Sequence, residues 1–222
     1  QARLQKTTCR FSFFVKNPRP RSKTIRRLLS QISVFVCFLL TKMTVKGKEN
    51  LPKSGPYILA PNHIHNIDPF PLSAAINKPM TFLMAEDQNP LKWYEGWAPR
   101  SYGVLMINRK KIQPSTIKAM NNQIKKKEIV CIFPEGTALG SGLKKGKNGA
   151  AFFASRHEIP IIPVAIRGTE KVLPSLKKLK RAKITIEFGR PLFTKKENLK
   201  NLGELTKNVM TNIKEMLPKS YH

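Results

Sequence analysis

The sequence predicts an α/β fold with a mixed, largely parallel central sheet flanked by helices. From Tyr57 onward, short apolar runs typical of buried strands alternate with longer stretches typical of helices. This alternation is the pattern of strands joined by helical crossovers. The chain has 222 residues, of which 41% are hydrophobic. It can therefore bury one sizeable core, which argues against wholesale disorder.

The individual elements are predicted from turn residues and from the spacing of apolar side chains. The predicted strands are Tyr57–Ala60, Thr81–Ala85, Val104–Ile107, Ile129–Phe133, Ile161–Ile166 and Lys183–Phe188. The predicted helices are Phe70–Ile76, Pro90–Ala98, Ser115–Lys127, Gly149–Arg156 and Leu199–Leu217. Pro160 and Pro163 interrupt the apolar run of the fifth strand, which predicts a sheet edge or a wall of the domain.

The charge of the chain restricts its partners. Forty-one Lys and Arg against 13 Asp and Glu give a net charge of +28. Such an excess indicates an anionic partner, either nucleic acid or an acidic membrane surface, unless the composition is basic without a specific partner. A nucleic-acid-binding module would interleave aromatics with its basic runs, and the run Lys177–Lys183 contains none. We therefore expect an anionic membrane surface and no nucleic acid.

The N-terminal part of the chain is strongly basic. Residues 1–27 hold nine Lys and Arg and no acidic residue, and Pro18 and Pro20 break any long helix there. This composition predicts a basic arm. A transit peptide is a minor alternative, since such peptides are also rich in Arg and poor in acid.

The segment Leu28–Met43 contains the apolar run Ile32–Leu40, which only Ser33 interrupts. Spanning a bilayer takes about 20 apolar residues, so this run is short for a transmembrane helix. It either lies in the headgroup region or packs as a core helix, and its basic flanks favour the interfacial position. We therefore expect a basic arm with an N-terminal membrane-interacting helix over 1–43 and the main domain over 44–222.

His63 and Asp68 follow the first predicted strand. Ligands of open parallel sheets gather at the carboxyl ends of strands. A histidine there can act as a general base, and a nearby carboxylate can fix its tautomer and stabilise the imidazolium. The two residues are five positions apart, so they can meet only if the segment is a turn that becomes a helix near Pro69. The alternatives are a structural histidine and an Asp68 that caps the helix.

Two further predicted strands end in polar residues. Arg109 follows the run Gly103–Ile107 and could grip a phosphate bidentately, or it could be a solvated charge. The turn Phe133–Thr137 offers backbone N–H groups, a carboxylate and a hydroxyl, although an ordinary strand-to-helix turn would look the same. Downstream, a Gly-rich stretch carries basic residues that could hold phosphate: Lys144, Lys145 and Lys147.

Four blocks in order resemble the 1-acyl-glycerol-3-phosphate acyltransferase family of glycerolipid acyltransferases. That family shows an N-H-x-x-x-x-D block, a G-x(3–4)-[IV]-x-R block, an F-P-E-G-T block and an I-P-x-x-P-V block. Here they read NHIHNID, GVLMINR, FPEGT and IPIIPV. With the flanking VKGKENLPKSGPYI and ITIEFGRPL, the resemblance covers the chain from Val45 to Leu192.

The resemblance implies roles for particular residues. It makes His63 the catalytic base and Asp68 its partner, and it assigns Arg109 to binding the glycerol-phosphate headgroup. The substrate-binding turn would include Glu135, Gly136 and Thr137, with Lys147 as a basic residue before the next helix. Two positions depart from the family: Ala138 stands where Arg is common, and His65 stands where Ser is common. A phosphate contact could therefore be lost or supplied by a lysine, and the two histidines could share the role of base.

The resemblance further implies transfer of an acyl group from acyl-CoA or acyl-carrier protein to a lysophospholipid, 1-acyl-glycerol-3-phosphate. The alternative acceptors are glycerol 3-phosphate and a lyso-aminolipid. No metal or other cofactor is expected, and Cys9, Cys37 and Cys131 are too far apart to predict a disulfide framework or a zinc site. We expect a peripheral or monotopic enzyme at the cytoplasmic face of a membrane.

Overall fold

The computed structural model of the chain describes residues 21–85, 102, 104–107, 113–137 and 142–222. Within them, one sheet is built from β1 (Thr41–Lys46), β2 (Tyr57–Pro61), β3 (Met80–Ala85), β4 (Leu105–Ile107), β5 (Ile129–Cys131), β6 (Ile161–Arg167) and β7 (Ala182–Phe188). The helices are α1 (Lys23–Leu40), α2 (Pro69–Ile76), α3 (Pro114–Lys125), α4 (Gly149–His157), α5 (Val172–Lys177) and α6 (Leu202–Met216).

The strand order is β1-β7-β6-β2-β5-β3-β4. Every neighbouring pair is parallel except β6 and β7, so the predicted mixed, largely parallel sheet is confirmed. The antiparallel pairing reverses β7 and, with it, β1. Arg167 at the end of β6 pairs with Thr185 in the middle of β7, so the first residues of β7 lie beyond the carboxyl end of β6. The starts of β1 and β7 therefore lie at the same edge of the sheet as the carboxyl ends of β2 and β6.

Alternate side chains of the central strands fill two cores, because successive residues of a strand point to opposite faces. Ile58 and Ala60 of β2 pack in the core that contains buried residues of α3, α4 and α6. Tyr57 and Leu59 pack in the core that contains buried residues of α2. The strands are buried on both faces and so read as continuous apolar runs.

Helix α1 is fixed to the domain by polar contacts. Arg26 is buried, and its guanidinium donates to both carboxylate oxygens of Glu128 at 2.7 and 2.9 Å. It also donates to the carbonyl of Met80 at 3.1 Å. One turn later, the Ser30 hydroxyl lies 3.1 Å from the Ser73 hydroxyl on α2. This polar attachment was not predicted from the sequence.

The opposite face of α1 is apolar and uncovered. Its exposed large hydrophobic side chains are Ile25, Leu28, Ile32, Phe35, Val36, Phe38 and Leu39. The helix thus packs on the domain while most of its apolar side chains point away from the core. No helix in the described part of the chain is long and apolar enough to cross a bilayer.

Several elements differ from the sequence-based prediction. Strand β1 and helix α5 were not predicted, and the predicted helix Pro90–Ala98 lies outside the described residues. The edge position inferred from Pro160 and Pro163 is wrong, because β6 lies between β7 and β2. Pro163 falls one residue outside the β6–β7 ladder, so its missing N–H removes no hydrogen bond from that ladder.

Candidate functional site

The loop after β2 is held by the buried side chain of Asn62. Its amide donates to the carbonyl of Ile166 at 2.9 Å and accepts the N–H of Ile166 at 2.6 Å. These two bonds imitate a backbone pair and extend the β2–β6 ladder by one step. The backbone that leads into the next residue, His63, is therefore held in place at the carboxyl edge of the sheet.

His63 and Asp68 are in contact. The Nδ1 atom of His63 lies 2.8 Å from Oδ2 of Asp68, whose side chain is fully buried. An ionised carboxylate only accepts hydrogen bonds, so this contact places the proton on Nδ1 and leaves the lone pair on Nε2. The His63 side chain keeps about a tenth of its surface exposed. The pair thus has the geometry that a general base and its orienting carboxylate require.

The turn that joins the two residues is wrapped around the same carboxylate. Oδ2 of Asp68 also accepts the N–H groups of Ile64 at 2.8 Å and His65 at 3.0 Å. The helix begins directly afterwards at Pro69, as the spacing required. Asp68 is the N-cap residue of this helix, as the alternative predicted, but its side chain makes no capping hydrogen bond. Its carboxylate faces back into the turn instead.

Thr169 completes the environment of Asp68. Its buried hydroxyl donates to Oδ1 of Asp68 at 2.6 Å, so both carboxylate oxygens are engaged. Thr169 follows β6 and was not among the site residues predicted from the sequence. The available signal was its position, since a polar residue just after a strand of the same sheet would reach the same edge as His63.

Glu135 joins two loops. One carboxylate oxygen accepts the backbone N–H of His63 at 2.8 Å, and the other accepts that of Lys144 at 2.9 Å. The His63 ring also stacks on Phe133, with the ring centroids 4.0 Å apart. Burial raises the pKa of Glu135, and the two backbone N–H groups oppose that rise. Glu135 thus links the loops that carry His63 and Lys144, and the substrate-binding role that the resemblance implied for it stays a prediction.

The rest of the Phe133–Thr137 turn brings a cation to the site. Gly136 has a left-handed backbone with φ of 75°, and a Cβ there would lie 3.1 Å from Nζ of Lys147. The backbone N–H of Lys147 donates to the carbonyl of Pro134 at 2.9 Å. The exposed Lys147 ammonium is therefore held beside the turn, where Thr137 is half-buried.

Two residues that the sequence singled out, Arg109 and Ala138, lie outside the described residues, so their placement stays a prediction. Among the described residues, no group of three or more His, Cys, Asp and Glu side chains is placed to hold a metal ion.

Residues 42–167 match the Acyltransferase family, and the match covers more than half of the chain. The chain belongs to the Acyltransferase family. Its resemblance to the glycerolipid acyltransferases is thereby confirmed, and the chain is an acyltransferase. The matched segment contains the site from β2 to the carboxyl end of β6, including His63, Asp68 and Glu135.

Proteins similar to this chain carry more specific names. A probable 1-acyl-sn-glycerol-3-phosphate acyltransferase of Mycoplasma pneumoniae is 26% identical, over 92% of this chain and 79% of its own. A chloroplastic 1-acyl-sn-glycerol-3-phosphate acyltransferase of Brassica napus is 27% identical over 79% of this chain, which spans about half of that relative, 51%. The crystal structure of the 1-acyl-sn-glycerophosphate (LPA) acyltransferase PlsC from Thermotoga maritima superposes with a TM-score of 0.59 at 20% identity, covering 89% of this chain and 83% of that one. This last similarity confirms the fold.

Proposed function

We propose that the chain transfers an acyl group from a thioester donor, acyl-CoA or acyl-carrier protein, to the free hydroxyl of 1-acyl-glycerol-3-phosphate. The product would be phosphatidic acid, made for phospholipid synthesis. The names of its relatives support this acceptor. The observation that carries the chemistry is the 2.8 Å contact between His63 Nδ1 and Asp68, which leaves Nε2 as the basic atom.

The reaction follows from that geometry. Nε2 of His63 removes the proton from the acceptor hydroxyl while its oxygen attacks the thioester carbonyl. The new C–O bond forms, the C–S bond breaks, and the imidazolium returns its proton to the leaving thiolate. Asp68 stabilises the imidazolium between these steps. Because the acceptor oxygen attacks directly, no covalent acyl-enzyme is needed.

Binding of the acceptor phosphate is assigned to cations near the Phe133–Thr137 turn. The Lys147 ammonium beside Gly136 is one of them, and its position supports the role that the resemblance implied. Arg109 is expected to supply a bidentate contact. Holding the phosphate at these points would keep the acceptor hydroxyl close to His63. The reacting groups would then be held in position before the reaction, which lowers its entropic barrier.

Association with a membrane is part of the proposal. The uncovered apolar face of α1 supports a helix that lies in the headgroup region of a bilayer. The net charge of +28 favours an anionic leaflet, and we assign the enzyme to the cytoplasmic face. Peripheral attachment of this kind would place the acyltransferase where its lysophospholipid acceptor is found.

The deciding experiment measures acyl transfer to a panel of acceptors, namely 1-acyl-glycerol-3-phosphate, glycerol 3-phosphate and a lyso-aminolipid, with acyl-CoA and acyl-carrier protein donors. His63→Ala should lower kcat by about a thousandfold with an unchanged circular dichroism spectrum.

The matched control is His157→Ala. His157 is the last residue of α4, and its Nε2 contacts Asn121 on α3. Both residues lie away from the site, so this variant should keep wild-type activity. His65→Ala decides whether the neighbouring histidine shares the role of base. A folded His63→Ala enzyme with near wild-type turnover would contradict the mechanism. A preference for another acceptor would contradict the assigned substrate.

A further inference from the structure

The turn between α5 and β7 presents an apolar side chain to solvent. Leu179 is 98% exposed and has a left-handed backbone with φ of 53°. Its N–H donates to the carbonyl of Leu176 at 2.9 Å, and the N–H of Lys180 donates to that of Ser175 at 2.9 Å. These bonds fix the backbone, so the exposed side chain is held outward by the fold. We call residues 177–181 the Leu179 turn.

The Leu179 turn is also densely basic. Lys177, Lys178, Lys180 and Arg181 are all exposed, so the leucine stands among cationic groups. An aliphatic side chain among cationic groups is complementary to an anionic leaflet, which has phosphates at its surface and acyl chains beneath them. The leucine would enter the acyl boundary while the lysines stay at the level of the lipid phosphates. Leucine offers no ring on which a nucleic-acid base could stack.

The turn is joined to the uncovered face of α1. Arg181 donates to the carbonyls of Phe38 and Thr41, and its guanidinium lies 5.6 Å from the centroid of the Phe38 ring. Thr41 pairs with Ala182 at the start of two parallel strands, so α1 and the turn enter the sheet side by side. Phe38 is 71% exposed. The apolar end of α1 and the Leu179 turn thus form one continuous surface.

The topology of the sheet decides where this surface lies. β6 and β7 are antiparallel neighbours, so the connection between them leaves the carboxyl end of β6 and returns at the same edge. That connection begins with Gly168 and Thr169, and Thr169 donates to Asp68. The Leu179 turn is therefore at the edge of the sheet that carries His63.

We propose that the Leu179 turn and the C-terminal end of α1 together form the surface that contacts an anionic phospholipid leaflet. The proposal rests on the membrane association proposed above and adds a second contact to the helix. In this orientation the leaflet faces the edge of the sheet that carries His63. A lysophospholipid can reach His63 from the bilayer without passing around the protein.

The test is binding of the full chain to vesicles made of equal parts phosphatidylcholine and phosphatidylglycerol, measured by co-sedimentation without acyl donor or acceptor. Leu179→Ser should weaken binding about tenfold, since one exposed leucine loses its apolar contact with the bilayer. Replacing Lys178 and Lys180 together by serine should weaken it by more than tenfold, with less dependence on salt.

The matched control is Phe193→Ser. Phe193 is 83% exposed and follows Leu192, which pairs with Ile161 at the amino end of β6, the opposite edge of the sheet. This variant should bind vesicles like wild type. All variants are first shown to have the wild-type melting temperature.

Wild-type binding by Leu179→Ser, or an equal loss in Phe193→Ser, would overturn the proposal. Equal binding to vesicles of phosphatidylcholine alone would also overturn it, because the lysines would then have no role. Binding is scored without turnover, so these outcomes leave the acyl-transfer proposal untouched. Failure of acyl transfer, in turn, would leave the vesicle result standing.

Discussion

Thr169→Val removes one hydroxyl from a buried carboxylate and changes little else, since valine has the shape of threonine. In the wild type that hydroxyl donates at 2.6 Å to Oδ1 of Asp68, while Oδ2 holds His63. A hydrogen bond to a buried charged group contributes about 1.5–3 kcal/mol. We expect the free energy of unfolding to fall by that amount.

Activity should fall as well, because the carboxylate that orients His63 loses one of its anchors. If the whole loss appeared in the transition state, kcat would fall about ten- to a hundredfold, at 1.36 kcal/mol for each factor of ten. KM should change little, because Thr169 contacts Asp68 and is assigned no contact with the acceptor. Thr169 is thus expected to act as a positioning residue.

Urea unfolding and steady-state kinetics test this expectation in the same preparations. Thr169→Ser keeps the hydroxyl and should restore most of kcat. If Thr169→Val loses stability but keeps kcat, the hydroxyl has only a structural role. Unchanged stability together with unchanged kcat would refute the reasoning altogether, because the bond to Asp68 would then contribute nothing.

Two further predictions concern buried carboxylates. Arg26→Ala should lower the free energy of unfolding by about 3–5 kcal/mol in urea, because it leaves Glu128 buried without its partner. Combining Arg26→Met with Glu128→Leu should recover most of that loss, and no recovery would contradict the explanation. Because the pKa of Glu135 is raised in the folded protein, the unfolded chain loses this proton first as pH rises above 4.5; the free energy of unfolding therefore falls as pH rises from 4.5 through the raised pKa and stays at the lower level above it. Glu135→Gln should abolish that part of the pH dependence, measured by urea unfolding across the acidic range; an unchanged profile would contradict the assignment.

Much of the fold was accessible from the sequence because the relevant signals are local. Buried parallel strands read as apolar runs, and the breaks between them mark the strand ends where polar residues gather. The spacing of His63 and Asp68 excluded a straight helix, and the structure forms a turn there with Pro69 as the first helical residue. The prediction failed for β1, whose six residues enter the sheet only because β7 runs alongside them.

The order of the four sequence blocks by itself determined the family of this protein, and the run of strands and helices determined its α/β class. Only the tertiary structure decided what holds His63 and Asp68 in place. Thr169 reaches Asp68 from 101 positions away, and Glu135 binds the N–H of His63 from 72 positions away. Only tertiary structure showed that α1 attaches through Arg26 and leaves its apolar face open. The physical reason is that such hydrogen bonds depend on which strand ends share an edge of the sheet, and strand order leaves no mark in the local sequence.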